Sequence, residues 1–391
     1  MTPGARVRAA IELLDQIIDA ARGGGAAADT LVARYFATRR YAGSKDRRAV
    51  RELVYAAIRR AGEMPASGRA AMTGLVRDDP ALAAAFDGSA HGPRPIDDEA
   101  PAAAGIAPDW LERRLAASGI DGVEASTLVG RAPLDLRENR LAAGYGTFDH
   151  AGAQRIPHVP AGWRLPPGTA VEASDAFRTG LVEVQDAGSQ LVTLASGAAP
   201  GMTVIDLCAG AGGKALALAA MMDNRGSILA TDTDRGRLSR LAPRAARAGA
   251  AIIAARLLDP GREAMVLDDW RGSADIVLID APCSGTGTWR RNPEARWRLS
   301  PARIDRLVGT QARLLRIGAD LVRPGGALVY IVCSLLDEEG AAQVAALIDE
   351  QPRWTPEMTM ATGRSRGAGV RLTPAHDDTD GFFVARLVRR C

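Results

Sequence analysis

Lysine is almost missing from this chain. Of its 49 basic residues, only Lys45 and Lys214 are lysines and the remaining 47 are arginines. Aromatic residues make up only 4% of the chain, so any core must be aliphatic. The longest fully apolar stretch, Ala215–Met222, is far shorter than the roughly 18 residues a membrane-spanning helix needs, and no membrane partner is expected. The four histidines are scattered, and no cysteine pair has the spacing of a zinc site, so no metal is expected. Four cysteines with no sign of an extracellular context argue against a disulfide framework. The sequence enters an amphipathic pattern directly after MTPGARVRAA with no secretory signal, and a cytoplasmic location is expected.

Hydrophobic residues reach 47%, enough for sizeable cores, and 391 residues suggest about two or three domains. The net charge of +3 is unevenly spread. Residues 38–60 hold eight basic and two acidic side chains, and residues 289–316 hold the same numbers. Each segment is therefore +6, which leaves −9 for the rest. Two basic patches in an otherwise acidic chain suit a polyanionic partner; solvated helix faces would give the same pattern.

Spacing predicts helices over 5–21, with Val7, Ile11, Leu14 and Ile18 on one face, and over 46–60, with Val50, Leu53, Val54, Ala57 and Ile58. Leu31, Val32, Tyr35 and Phe36 suggest a helix between them. Residues 87–107, rich in Gly, Pro, Ala and acid, read as a linker or long loop, after which Pro108 opens another helix. Residues 133–185 read as short strands and turns. From about 186 strands alternate with helices, the candidate strands being Thr203–Cys208, Ile228–Thr231, Ala251–Ala255, Asp275–Ile279 and Ala327–Cys333. Such alternation predicts an α/β fold with a doubly wound parallel sheet, which binds ligands at the carboxyl ends of its strands.

The first of these strands runs into Cys208-Ala209-Gly210-Ala211-Gly212-Gly213-Lys214. Glycines there let backbone approach a ligand and turn into a helix. Asp232, at the end of the second strand, stands where an acid would hold ribose hydroxyls. A nicotinamide dinucleotide and S-adenosylmethionine are both compatible with this much. A phosphate-binding Walker loop is excluded, because Cys208 replaces its first glycine and Ala215 follows the lysine. The fourth strand ends Asp280-Ala281-Pro282-Cys283 and the fifth ends Val332-Cys333-Ser334. A lone cysteine is by default a small buried hydrophobe; two at strand ends on one edge point to chemistry.

From Val182 to Arg389 the chain resembles the Sun family of RNA cytosine-5 methyltransferases. The matching segments are VQDAGSQLV at 184–192, DLCAGAGGK at 206–214, DAPCSGTG at 280–287, RRNPEARW at 290–297, CSLLDEEG at 333–340 and DGFFVARL at 380–387. GSKDRRAVRELVY at 43–55 resembles the NusB-like RNA-binding domain that precedes the catalytic part in bacterial rRNA members. The residue pattern and the resemblance together predict an all-α NusB-like domain over 1–125, a small α+β subdomain over 126–185 and a Rossmann-like methyltransferase domain over 186–391. It also implies S-adenosylmethionine as cofactor and RNA, first of all 16S rRNA, as partner.

Carbon 5 of cytosine is a poor nucleophile until a thiolate adds to carbon 6. By resemblance Cys333 is that nucleophile, and Cys283 assists base removal and release. Asp280 would contact the cytosine edge and the methionine end of the cofactor. Lys214 would hold Asp280 and lower a thiol pKa. Residues 208–214 would wrap the methionine end, Asp232 the ribose and Asp259 the adenine, although Asp259 precedes Pro260 and equally suits a turn. Arg290, Arg291, Arg296 and Arg298 are candidates for phosphate contacts, Trp289 and Trp297 for base stacking or core, and Arg47 and Arg48 for RNA contacts from the helical domain. A DNA cytosine-5 methyltransferase would use Cys283 as nucleophile, leaving Cys333 unused. A non-catalytic RNA-binding factor would need neither thiol.

Overall fold

Thr2 starts the first helix: its hydroxyl accepts from the Ala5 amide at 3.2 Å, and Pro3 fills the first turn. The computed structural model describes residues 1–357 and 360–391. Its contacts divide the chain into two units, Met1–Arg131 with Thr288–Pro301, and Ala132–Gly287 with Ala302–Cys391.

The first unit is helical, with α1 (Pro3–Gly23), α2 (Ala28–Ala37), α3 (Ser44–Arg60), α4 (Gly68–Asp78), α5 (Asp109–Ala117) and α6 (Gly122–Thr127). Val7, Leu14 and Ile18 of α1 are buried as their spacing predicts, with Leu13 and Ile17 between them, while Ile11 sits at the margin. Val50, Val54, Ala57 and Ile58 of α3 meet them in one aliphatic core. Residues 87–107 are not a free linker. Ala104 bridges Ala61, the Ala102 carbonyl accepts from the Arg60 guanidinium at 2.6 Å, and Glu99 pairs with Arg69 at 2.6 Å. This loop therefore folds back onto α3 and α4.

The segment 288–301 belongs to this unit, although the sequence places it inside the catalytic stretch. Glu294 caps α2 by accepting from the Ala28 amide at 2.9 Å. Trp297 lies in the helical core and donates to the Ala61 carbonyl at 3.1 Å. Arg296 is fully buried and donates to the carbonyls of Ile58 at 2.6 Å, Arg59 at 3.1 Å and Ala61 at 2.8 Å. These carbonyls end α3, where a helix leaves its acceptors unpaired and its dipole favours a cation. Burial pushes the Arg296 guanidinium down to about 9.

The second unit holds two sheets. A small antiparallel sheet has the order β2 (Gln154–Arg155), β3 (Gly162–Leu165), β1 (Leu134–Glu138), β4 (Val182–Val184). The VQDAGSQLV segment fastens this sheet to helix α7 (Ala187–Leu194). Asp186 caps that helix by accepting from Ser189 N at 3.2 Å, and Gln190 donates to the Leu136 and Gln185 carbonyls at 3.1 and 2.9 Å.

The large sheet contains the parallel strands β5 (Thr203–Asp206), β6 (Ser227–Asp232), β7 (Ile253–Leu257), β8 (Ala274–Asp280) and β9 (Val322–Val332) in the order β7-β6-β5-β8-β9. Helix α8 (Gly213–Met221) follows β5, and α9 (Pro301–Leu321) leads into β9. Ala327–Val332 is buried on both faces, as a central parallel strand requires. Beyond β9 the sheet turns antiparallel: β10 (Trp354–Pro356), β11 (Arg364–Arg366) and β12 (Gly369–Leu372) precede β13 (Phe382–Arg389), which pairs with β9 from Phe383↔Val332 to Val388↔Ala327. The strand alternation in the sequence did not announce this edge. Strand order reverses between β5 and β8, which opens a crevice at the carboxyl edge. Among the described residues no helix is long and apolar enough to cross a membrane.

Candidate active site

Every acid and thiol singled out between 206 and 333 sits at or just past a strand end of that edge. β8 and β9 are parallel neighbours with Asp280 opposite Ile331, so Cys283 and Cys333 leave the sheet side by side. Their sulfurs are 3.3 Å apart and both side chains are half-buried. The hydrogen bond to the Cys333 sulfur, then burial, hold Cys283 well above the usual thiol range. Either sulfur can be the donor in this contact, and the protonated form of Cys283 is the favoured one.

Lys214 lies on the first turn of α8, and its Nζ donates to Asp280 Oδ2 at 2.6 Å. Burial pulls this ammonium down, but the Asp280 carboxylate more than offsets it, so its pKa is raised and the side chain stays charged. Nζ also stands 5.6 Å from the ring of Phe382, which gives the DGFFVARL segment a place beside the site. The loop after β8 and the loop before β13 touch backbone to backbone. Gly381 N donates to the Gly287 carbonyl at 2.8 Å, and a Cβ on Gly287 would lie 2.2 Å from the Gly381 oxygen. Only glycine allows this approach.

At the crevice, Asp232 closes β6 and accepts from Gly210 N at 2.7 Å and Asp234 N at 2.8 Å. Gly212, at φ +86°, turns the loop into α8. A Cβ on Gly213 would meet nothing within 4 Å, so this face of the loop is bare backbone. Bare amides at a helix start beside a strand-end carboxylate fit a ligand with a ribose and a charged tail. Cys208 is held well above its usual pKa by burial and by Asp206, so it stays a thiol. Asp259 is exposed in a turn: Arg262 N donates to its carbonyl at 3.0 Å, with Pro260 second and Gly261 at φ +83° third. That is a type II turn with both residues in their preferred places.

Four groups lie here that the sequence pattern did not single out. Asp206, ending β5, is fully buried; burial and then the Asp280 charge raise it to about 7. Ser284, Ser334 and Glu339 are also buried and joined to one another. The signal available was the Cys-Ser pair repeated at both strand ends.

The RNA candidates are dispersed. Arg47 and Arg48 are exposed on α3. Arg291 is partly exposed, whereas Arg290 and Trp289 are buried, the tryptophan completely. The expectation that Arg296 faces a phosphate meets an interior guanidinium committed to helix carbonyls. Among the described residues no group of three His, Cys, Asp or Glu is placed to hold a metal.

A strand-end thiol pair beside a lysine–aspartate pair and a glycine crevice can be compared with known proteins. The family model described as 16S rRNA methyltransferase RsmB/F matches residues 194–388. A "Probable ribosomal RNA small subunit methyltransferase B" from Synechocystis sp. is 36% identical over 239 residues, 59% of this chain and 52% of that protein. The ribosomal RNA small subunit methyltransferase B of Klebsiella pneumoniae is 34% identical over 296 residues, covering 72% and 66%. The match thus spans about half to two thirds of the length of these relatives. A crystal structure described as a methyltransferase homolog protein from Pyrococcus horikoshii superposes with a TM-score of 0.60 at 26% identity, covering 72% of this chain and 99% of the other. On these matches the chain belongs to the RsmB/F methyltransferase family.

Proposed function

We propose that the protein uses S-adenosylmethionine to methylate carbon 5 of a cytosine in RNA, and that the RNA is that of the small ribosomal subunit. The observation that carries this reading is the pair of thiols 3.3 Å apart on adjacent strand ends, beside the Lys214–Asp280 pair. The relatives' names supply the RNA class. The crevice fits the cofactor, with residues 208–214 for its methionine end, Asp232 for its ribose and Asp259 toward its adenine. When bound, it supplies an electrophilic methyl group.

Cys333 acts as a thiolate and forms a bond to carbon 6, which pushes electron density onto carbon 5. Cys283, kept protonated, donates to the Cys333 sulfur and stabilises it as a thiolate before attack and again as it leaves. Asp280 accepts from the exocyclic amine of the cytosine, and Lys214 fixes Asp280 and offers a cation near the forming Cys333 thiolate. Once carbon 5 has taken the methyl group, water takes the carbon 5 proton; the electron pair of that C–H bond re-forms the carbon 5–carbon 6 double bond, the carbon 6–sulfur bond breaks, and Cys333 leaves as a thiolate. A base must leave its stack to reach these half-buried sulfurs. Arg298 donates to the Gly25 and Ala26 carbonyls at 2.8 and 2.7 Å, which leaves Arg47, Arg48, Arg291 and the buried Arg290 as RNA candidates, the exposed pair on α3 foremost.

Methyl transfer from labelled cofactor to RNA, read with denaturing gels, tests this mechanism. Cys333→Ser should abolish methylation and any covalent adduct, because a serine hydroxyl is scarcely ionised near neutral pH. Cys283→Ser should still attack but release slowly, so protein joined to RNA accumulates. Adducts that survive Cys333→Ser and vanish with Cys283→Ser would assign the attack to the other thiol.

A further inference from the structure

The structure assigns to Glu339 a positioning role: its buried carboxylate clamps together the two loops that carry the thiols. This inference rests on the two-thiol reading. Glu339 is completely buried and pairs with no lysine or arginine among the described residues. Its charge is instead met by hydrogen bonds. Oε1 accepts from Ser284 N at 2.8 Å and from Gln311 Nε2 at 3.0 Å. Oε2 accepts from Ser334 Oγ at 2.6 Å and, more closely, from Ser284 Oγ. Burying a carboxylate this way is costly unless its lone pairs are filled, and here four donors fill them.

The donors are not scattered. Ser284 follows Cys283 and Ser334 follows Cys333, so one carboxylate holds the neighbour of each thiol. Further links tighten the same two loops. Ser284 Oγ lies 3.1 Å from Ser334 Oγ, Thr286 Oγ1 lies 3.2 Å from Ser334 Oγ, and Leu335 N donates to Thr286 Oγ1 at 2.8 Å. Gly287 N donates to the Cys333 carbonyl at 3.0 Å. Gln311 carries the clamp one step further, because its Nε2 also donates to the Pro282 carbonyl at 2.9 Å. Glu339 is itself fixed from β9, where Tyr330 donates its hydroxyl proton to the Glu339 carbonyl at 2.6 Å. The sulfur separation is thus set from below by a network that no substrate atom needs to touch.

Reach, rather than charge, is what this role requires. Glu339→Gln keeps the reach and can accept at one oxygen position while its amide donates to the two hydroxyls, which rotate to accept. Glu339→Asp keeps the charge but withdraws it by one methylene, and Ser334→Ala cuts the Cys333 loop alone. Dibromobimane, which becomes fluorescent when it bridges two neighbouring thiols, reports the separation independently of methylation, in a Cys208→Ala, Cys391→Ala background that leaves only the pair and is used for crosslinking alone; methylation is measured with all four cysteines in place. We expect the Glu339→Gln variant to crosslink and methylate within a few-fold of the parent. Glu339→Asp and Ser334→Ala should lose crosslinking rate and kcat together, on the order of 10- to 100-fold, with KM for the cofactor unchanged. Thermal melts identify any variant whose loss is simply unfolding, and Ser334→Ala, the mildest change, is the control for that. Equal crosslinking rates in Glu339→Asp, Ser334→Ala and parent would overturn the clamp, even with Cys333→Ser inactive. Methylation that persists in Cys333→Ser, with crosslinking still lost in Glu339→Asp, would instead reject the thiol mechanism and leave the clamp standing.

Discussion

Asp206 shows how one residue ties this site to pH. Burial, then the Asp280 charge, lift its carboxyl from 3.8 to about 7, so the folded protein holds a proton there that the unfolded chain has already released. Stability from this group is complete below about pH 4 and is lost as pH rises through about 7. Asp206→Asn removes the titration. Measured without cofactor, the stability of wild type relative to this variant should fall between pH 4 and pH 8 by a few kcal/mol, at about 1.4 kcal/mol for each pH unit between the two titrations. Parallel pH curves for the two proteins would mean that Asp206 ionises normally. Lys214 responds in the opposite way, since its pairing with Asp280 keeps it charged throughout this range. Burial opposes the charged form of both neighbouring groups, and the Asp280 carboxylate sets them apart by favouring the cation and disfavouring a second anion.

At the level of elements, the 3₁₀ turn Pro293–Arg298 is the most consequential. Its basic character reads as a nucleic-acid surface, yet its central arginine caps α3, its glutamate caps α2 and its tryptophan enters the helical core. Arg296→Met should cost the helical unit about 2–3 kcal/mol, because the carbonyls of Ile58 and Ala61 lose a charged donor in a buried setting. Denaturant unfolding measures the total, and hydrogen exchange in the last turn of α3 localises it. Wild-type stability in this variant would return Arg296 to the candidates for RNA binding. The segment 288–301, flanked in sequence by two stretches of the catalytic unit, thus does structural service elsewhere.

For the whole molecule, the charge balance is so even that the proposed RNA would have to be held through local density of charge. The exposed face of α3, with Arg47 and Arg48, retains the density that the sequence suggested. Arg47 also donates to the Ala42 carbonyl at 2.8 Å, so part of its role is local. Reversing both to glutamate should weaken RNA binding and flatten the logarithmic salt dependence by about 0.7 for each single-strand phosphate no longer neutralised. Filter binding across a salt series reads this directly. An unchanged slope would leave α3 as a solvated surface.

The sequence alone determined the order of strands and helices from 203 to 333, because a buried parallel strand must be a short β-branched or aliphatic run and its helix must carry a 3.6-residue stripe. It also marked Cys208, Lys214, Asp232, Asp280, Cys283 and Cys333, since ligand chemistry belongs at strand ends. The features it left undecided depended on partners distant in the chain. Nothing local distinguishes a surface arginine from Arg296, whose acceptors at the end of α3 lie more than 230 residues away. Nothing local says that Ser284 and Ser334 share Glu339, because only the parallel pairing of β8 with β9 brings them together. The antiparallel edge through β13 was equally hidden, as the direction of a strand is set by its neighbour and not by its own side chains.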